Sequence, residues 1–311
     1  MTEVTAFQRS HRLSELAATI RTVSYPIVLV IGVVGNTLAF FVMNLKKNKT
    51  NVIYFYLRLL AVYDTLSLAT FLPSFIVRFF PNWIFSLNVT YCIIVRYLGD
   101  VFYGSAMWLV ITIAADRAIA VKFPLQAASL CTMGRARWIL FSLGVLSLAF
   151  NLPNLWRQPI RLPDGSIHCV LIPSLIWFES AGDIANMAIP VFTVLILNIF
   201  IILSLRRHYR KLQRTLLMKE GTSQDGGMTA MLILVATAMF ILNAPYLCLA
   251  MTWTYIIPDL LDPNNSVTFL IIIFAYILTM VNNCINFFFY CLYVIIANAH
   301  AMSTLQYNFI C

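Results

Sequence analysis

Charged residues are scarce in this sequence. Only 11% of the 311 residues are Asp, Glu, Lys or Arg, whereas 61% are hydrophobic. A soluble domain usually carries about a quarter charged residues, and a soluble fold of this size could not hide so much apolar surface from water. The low charge therefore argues against an ordinary soluble protein and predicts an integral membrane protein.

Residues that carry catalytic or metal chemistry are also few and scattered. The four histidines, at positions 11, 168, 208 and 300, lie far apart in the chain. We find no nucleophile–base pair, no phosphate-binding loop and no metal-ligand spacing. We therefore expect no enzyme activity and no cofactor. Internal repeats and low-complexity tracts are lacking too, which predicts a single bundle.

Long apolar runs are what the sequence does contain. Seven runs reach the length of about 20 residues that a helix needs to cross a bilayer. They are residues 23–45, 52–80, 91–121, 137–156, 176–205, 228–257 and 267–296. We predict an all-α membrane protein with a seven-transmembrane helix bundle. Its domains are an extracellular N-terminal tail at 1–22, a bundle at 23–296 and a short cytoplasmic tail at 297–311 with a short amphipathic helix.

The N-terminal 21 residues contain no apolar core, so we expect no cleaved signal peptide. Orientation follows from lysine and arginine, which are concentrated in one set of connections. This set contains Lys46, Lys47, Lys49, Lys122, Arg135, Arg206, Arg207, Arg210, Lys211, Arg214 and Lys219. Basic connections face the cytosol, which puts the N-terminus outside and predicts a multi-pass protein of the plasma membrane. The net charge of +9 is then mainly a topology signal, and we expect the lipid bilayer and not nucleic acid as a partner.

Two cysteines and two sequons fall on the predicted outer side. Cys92 opens the third apolar run and Cys169 follows the fourth, so a disulfide between them can persist there. Asn88 and Asn264 each begin an Asn-x-Ser/Thr sequon, which makes both candidate glycosylation sites.

Asp64 is the clearest ionisable residue at membrane depth. Such a group is expensive in the bilayer and suggests a functional site. Asn36, Asn282, Asn283 and Asn286 lie at comparable depth in the first and seventh runs. The cluster is either a site for a water network or a small cation, with Asp64 as a weak sodium ligand, or a purely structural hydrogen-bond hub.

Asp116 and Arg117 sit at the inner end of the third run. They are either an interfacial pair that reaches towards water or a conformational switch. In the switch interpretation, Asp225 at the start of the sixth run accepts Arg117 when the bundle is closed.

Charged residues also gather near the outer surface, at Arg96, Asp100, Glu179 and Asp183. Glu179 and Asp183 are four residues apart and therefore share one face of a helix. The set is either an acidic vestibule for a basic peptide with an aromatic end or a solvated rim. The remaining residues that we predict to line the ligand pocket are Tyr103, Asn243, Tyr246 and Tyr276.

Short motifs occur in order along the runs. They are Gly35-Asn36, LAVYD at 60–64, Trp83, Cys92, Asp116-Arg117, Trp138, Pro190, Pro245 and NFFFY at 286–290. Together they resemble the rhodopsin-like (class A) G-protein-coupled receptors. Three longer stretches, at 56–68, 116–137 and 281–292, resemble invertebrate FMRFamide-type neuropeptide receptors and related nematode receptors. The resemblance implies a short amidated peptide as the extracellular ligand, a heterotrimeric G protein as the partner, and Asn286 and Tyr290 as further switch residues.

The sequence departs from that family pattern at several switch positions. Ala118 replaces the tyrosine after Asp-Arg, Asn198 a fifth-helix tyrosine, Asn243 a sixth-helix tryptophan, and Phe287 a seventh-helix proline. Ala106 replaces the serine of the sodium pocket. Three alternatives therefore stay open: a chemosensory receptor of the same fold for a small molecule, a binding protein that does not signal, and a transporter.

Overall fold

The computed structural model describes residues 2–44, 51–72, 89–161, 167–175, 177–215, 224–251 and 266–308. Its long helices are Thr2–Met43, Val52–Ala69, Val89–Lys122, Met133–Phe150, Ile189–Thr215, Gln224–Met251 and Ser266–Asn308, named first to seventh in chain order. Each belongs to a helical stretch that is long and apolar enough to cross a membrane. The predicted seven-helix membrane bundle is confirmed.

The first and seventh helices are longer than the apolar runs that predicted them. The first helix begins at Thr2, and its apolar span begins at Glu15. Residues 297–308 are helical as predicted, but they continue the seventh helix instead of forming a short amphipathic helix of their own. The segment Ser266–Asn308 contains neither proline nor glycine, and Phe287 keeps the backbone N–H that a proline would remove.

The helices pack in a ring in which the first helix lies along the seventh and the second, and the third along the second and the fifth. Close approach is possible where the first helix carries glycine. A Cβ added at Gly32 would lie 2.5 Å from the Cys284 sulfur and would also contact Leu68. A Cβ at Gly35 would lie 3.2 Å from Phe287. These two glycines therefore set the spacing between the first helix and its neighbours.

A β-hairpin follows the fourth helix. A 3-10 turn at Leu152–Trp156 leads into strand β1, Arg157–Arg161, which pairs antiparallel with strand β2, Ile167–Leu171. The sequence did not predict this hairpin, because five-residue strands leave too short a pattern to separate from a loop. A short helix, Pro124–Leu130, was also not predicted in the connection between the third and fourth helices.

The outer end of the fifth span is irregular. A short helix, Trp177–Asp183, passes into a π-helical turn at Ile184–Ala188 before the fifth helix begins. Single π-helical turns inside longer helices often occur at functional sites. This turn packs against the third helix, next to the predicted ligand pocket.

Candidate functional site

Four predicted pocket residues come together between the third, sixth and seventh helices. The Tyr103 hydroxyl donates a hydrogen bond to Asn243 Oδ1 at 3.1 Å. The Asn243 amide nitrogen donates to the Met239 carbonyl at 2.8 Å, and Asn243 is fully buried. The Tyr246 and Tyr276 rings lie 5.0 Å apart between centroids. The result is an aromatic site with a polar floor.

Asp183 belongs to the same site. It is close enough to Tyr103 and Tyr246 to act electrostatically on both hydroxyl groups. It ends the short helix Trp177–Asp183, and its side chain makes no capping hydrogen bond to the π-helical turn that follows.

Asp100 is held by a hydrogen-bond network of its own. Its Oδ2 accepts one hydrogen bond from Arg96 Nε and another from the Asn154 amide, both at 3.1 Å. Asn154 Oδ1 in turn accepts from Arg157 Nε at 2.9 Å. Arg157, the first residue of β1, is only 4% exposed. This Asp100 network ties the hairpin to the third helix.

The network continues through two further asparagines. Asn151 donates to the Ser147 carbonyl at 2.8 Å and lies 3.4 Å from the amide nitrogen of Asn186 in the π-helical turn. The Ser147 hydroxyl donates to the Val101 carbonyl at 3.0 Å. A Cβ at Gly104 would lie 2.6 Å from Asn186 Oδ1. The third, fourth and fifth spans are therefore joined by polar contacts at their outer ends.

Sequence reasoning missed most of these network residues. It did not single out Asn151, Asn154 or Arg157. Their spacing could have identified them, because Asn151, Asn154 and Arg157 follow each other at intervals of three residues. A 3-10 helix has three residues per turn, so this spacing puts them on one face of the turn Leu152–Trp156.

Asp64 and its asparagines form a second polar cluster, between the first, second and seventh helices. Asn286 donates to Asp64 Oδ2 at 2.7 Å, and Asn36 donates to the Asn283 carbonyl at 2.9 Å. The Asn283 amide donates to Ser67 Oγ at 3.2 Å. Asn282 is also buried, and Asp64 itself is only 2% exposed. The structure thus pairs Asp64 with Asn286 and Asn36 with Asn283, and it adds Ser67, which the sequence did not single out.

Two acceptors in this polar core have no hydrogen-bond donor among the described residues. They are Oδ1 of Asn36 and Oδ1 of Asn283, both fully buried. Buried polar atoms of this kind usually bind ordered water. This favours a hydrated hydrogen-bond hub, while sodium at Asp64 stays a prediction.

The inner end of the third helix presents Asp116 and Arg117 to different surroundings. Asp116 forms a side-chain hydrogen bond with Tyr56 of the second helix, and the Cys131 sulfur lies 3.9 Å from its carbonyl oxygen. Arg117 and Asn198 line a cavity of about 20 Å³, which is room for about one water molecule. The sequence did not identify Tyr56 as a partner.

Several predicted groups lie outside the described part of the structure. They are the side chains of Cys92, Cys169, Glu179, Asp225 and Tyr290, and the sequon residues Asn88 and Asn264. The disulfide, the glycosylation sites and the contact between Arg117 and Asp225 therefore stay predictions.

Comparison with known proteins gives consistent results. Residues 35–290 match the model of the seven-transmembrane receptor (rhodopsin) family. The chain is 28% identical to the FMRFamide receptor of Drosophila melanogaster over 277 residues, which is 79% of this chain and 50% of that protein. It is 28% identical to neuromedin-U receptor 1 of Homo sapiens over 209 residues, covering 64% of this chain and 48% of the receptor. It is also 26% identical to the sex peptide receptor-related protein 2 of Caenorhabditis elegans over 244 residues, covering 66% and 53% respectively.

The chain thus spans about half the length of these curated relatives. The family match is much more complete, because it extends from the first helix to the seventh. All seven apolar helices lie within or across the matched range. The chain therefore belongs to the rhodopsin family of seven-transmembrane receptors, which are multi-pass plasma-membrane receptors and not enzymes.

Proposed function

We propose that the chain is a receptor for a short, basic, amidated neuropeptide and that it couples to a heterotrimeric G protein. Relatives named for the peptides FMRFamide and neuromedin U support a peptide ligand. The observation that carries the proposal is the hydrogen bond between Tyr103 and Asn243. It connects the wall of the outer site to the sixth helix two residues before Pro245.

The chemistry of the outer site suits such a peptide. Tyrosine rings offer large apolar surfaces with polar edges, which bind an aromatic side chain and still hydrogen-bond. Tyr103, Tyr246 and Tyr276 supply these surfaces. Asp183 supplies a negative charge next to them, which complements a basic residue. A short peptide with one basic and one aromatic residue would use both features.

Movement of the sixth helix would carry the signal inward. Pro245 lies inside that helix and removes one backbone hydrogen bond, which makes this point a natural hinge. A ligand that displaces Asn243 from Tyr103 would free the part of the helix on the inner side of Pro245 to swing outward.

At the inner end, the sixth helix contributes Leu232 and Val235 to the cavity that Arg117 lines. Outward motion of the sixth helix would widen this cavity into a cleft for a G-protein helix. Because coupling between two sites is reciprocal, G protein should tighten peptide binding by roughly 5- to 150-fold.

The test is a screen of short amidated peptides against cells that express the full chain, read out by G-protein activation and by surface binding. Arg117→Ala is the matched variant, and we expect it to keep peptide binding and lose activation. Activation by Arg117→Ala would show that this arginine is not the switch. Failure of every peptide to bind would contradict the peptide assignment.

A binding protein that does not signal is the second candidate. The unbroken seventh helix, with Phe287 packed against Gly35, favours it, because such a helix lacks the proline that would let it bend. A nucleotide-exchange assay with the bound peptide separates the two functions, since only a coupled receptor accelerates exchange on the G protein.

A further inference from the structure

We infer that Gly104 and Asn186 are positioning residues of the outer site. Asn186 fills the space that Gly104 leaves open, and this contact holds the π-helical turn Ile184–Ala188 in its register. The turn decides which face the short helix Trp177–Asp183 presents to the sixth helix. The inference rests on the proposed function, because the outer site is the proposed peptide site, but the contact itself can be tested without a ligand.

The backbone of the turn is that of a one-residue insertion. The Ile189 N–H donates to the Ile184 carbonyl, five residues back instead of four. Such a turn uses one residue more than an α-helical turn, so the residues before it are rotated by about 100° relative to an unbroken α-helix. Pro190 explains why the irregularity lies here, because it has no N–H to donate to the carbonyl groups four and five residues before it.

Proline explains an irregular helix but not the register that the helix adopts, and the contacts of Asn186 supply that register. A Cβ placed on Gly104 would lie 2.6 Å from Asn186 Oδ1 and 3.0 Å from its Cγ. Glycine at position 104 is therefore what allows the Asn186 side chain to sit there. The Asn186 amide nitrogen also lies 3.4 Å from Oδ1 of Asn151, which ends the fourth helix and is only 1% exposed. Asn186 thus contacts both the third and the fourth helix.

The register of the turn matters for the outer site because of what lies before it. The turn packs against the third helix, and the short helix Trp177–Asp183 packs against the sixth. Loss of the π-helical hydrogen bond would rotate this short helix by about 100° and turn a different face towards the sixth helix. A peptide in the outer site would then meet a different wall.

The first experiment tests the register by cross-linking full-length receptor in membranes. A Cβ on Gly104 would lie 3.6 Å from the Asn186 Cβ, and a disulfide needs a separation of about 3.5–4.5 Å. Gly104→Cys with Asn186→Cys should therefore form a disulfide on mild oxidation, which mass spectrometry of the digested receptor identifies. Gly104→Cys with Ala185→Cys, or with Met187→Cys, is the register control and should remain mostly reduced. Absence of the cross-link to position 186, or a higher yield at 185 or 187, would overturn the inference.

The second experiment is a double-mutant cycle. Gly104→Ala should lower the midpoint of thermal inactivation by roughly 2–8 °C, because the added methyl group collides with Asn186. In an Asn186→Ala background it should have almost no effect, since the two Cβ atoms would be 3.6 Å apart, an ordinary van der Waals contact. Gly144→Ala is the matched control, because a Cβ there meets nothing within 4 Å. Equal effects of Gly104→Ala in both backgrounds would show that the two residues are not coupled.

The third experiment separates positioning from folding. The probe is a radiolabelled amidated peptide from the proposed screen, and saturation binding gives both its affinity and the number of sites. Gly104→Ala should weaken the affinity by roughly tenfold, whereas the cross-linked Gly104→Cys/Asn186→Cys receptor should bind like wild type, because the disulfide keeps the register. A loss of sites with unchanged affinity would show a folding defect only and would overturn the positioning role. If no peptide binds wild-type receptor, the proposed function fails, while the cross-linking yields still decide the register.

Discussion

Asp100 and Asp64 show two ways of holding a carboxylate inside a membrane bundle. Asp100 has a guanidinium and an amide on the same oxygen, and its amide partner is held in turn by Arg157. For Asp64, the described residues provide one hydrogen bond, from the neutral amide of Asn286. The first carboxylate is balanced by charge, whereas the second is not.

The difference separates a fixed region from one that can rearrange. In the Asp100 network, polar atoms are paired, and breaking a contact would leave a buried charge without compensation. In the polar core around Asp64, two amide oxygens still have unused acceptor capacity. A receptor needs both kinds of region, because a ligand site must keep its shape while the helices below it move.

Arg157→Ala should have the largest effect on stability. Arg157 is nearly fully buried and bonds to Asn154, so its removal should cost about 3 kcal/mol. We expect a lower midpoint of thermal inactivation in detergent and less receptor at the surface. Arg207→Ala, at an exposed position in the fifth helix, is the control. Equal midpoints for the two variants would contradict a structural role for the network.

The same substitution at the two aspartates should have opposite results. Asp100→Asn should lower stability by about 1–2 kcal/mol, because Arg96 loses the charge it now contacts. Asp64→Asn should leave stability unchanged or raise it by about 1 kcal/mol, because it removes a buried charge whose described partner is a neutral amide. Thermal inactivation of both purified variants is the measurement. A larger loss of stability in Asp64→Asn than in Asp100→Asn would contradict this prediction.

Tyr103→Phe should have a smaller effect, of about 1 kcal/mol. It removes the hydroxyl that bonds to Asn243 and so uncouples the outer site from the sixth helix. We expect altered basal and peptide-stimulated G-protein activation with little loss of surface receptor. Tyr97→Phe also removes a bonded hydroxyl, one that donates to the Leu148 carbonyl, but it should leave activation unchanged. Identical activation profiles for the two variants would remove Tyr103 from the signalling route.

The smallest expected effect is a slower chemical labelling of the Cys131 thiol, with no change in stability. Burial raises the pKa of its thiol, and only the thiolate reacts with a maleimide. At neutral pH, labelling should therefore be slower than for Ser129→Cys, an exposed position in the same connection, tested in a Cys131→Ala background. The Cys131 rate should rise about tenfold per pH unit up to the raised pKa.

An impermeant maleimide should label Cys131 only in permeabilised cells. Labelling in sealed cells would place this connection outside and overturn the predicted orientation.

The sequence by itself determined the seven spans and several helix ends. A span needs only enough consecutive apolar residues, which is local information. Asn51 caps the second helix by accepting from the Ile53 amide at 2.9 Å, and Thr132 similarly caps the fourth. The prediction of Asp64 and its asparagines as one cluster also came from depth in the membrane alone.

Only the tertiary structure decided which polar groups meet. Asp64 and Asn286 are 222 positions apart, and Tyr103 and Asn243 are 140 apart. The sequence put Asp100 and Asp183 in one acidic vestibule, whereas packing of the 3-10 turn before β1 against the third helix brought Asn154 to Asp100. The physical reason is that the hydrophobicity of a residue depends on that residue and its solvent alone. A hydrogen bond requires two groups, and the packing of helices and hairpin determines which two come within reach.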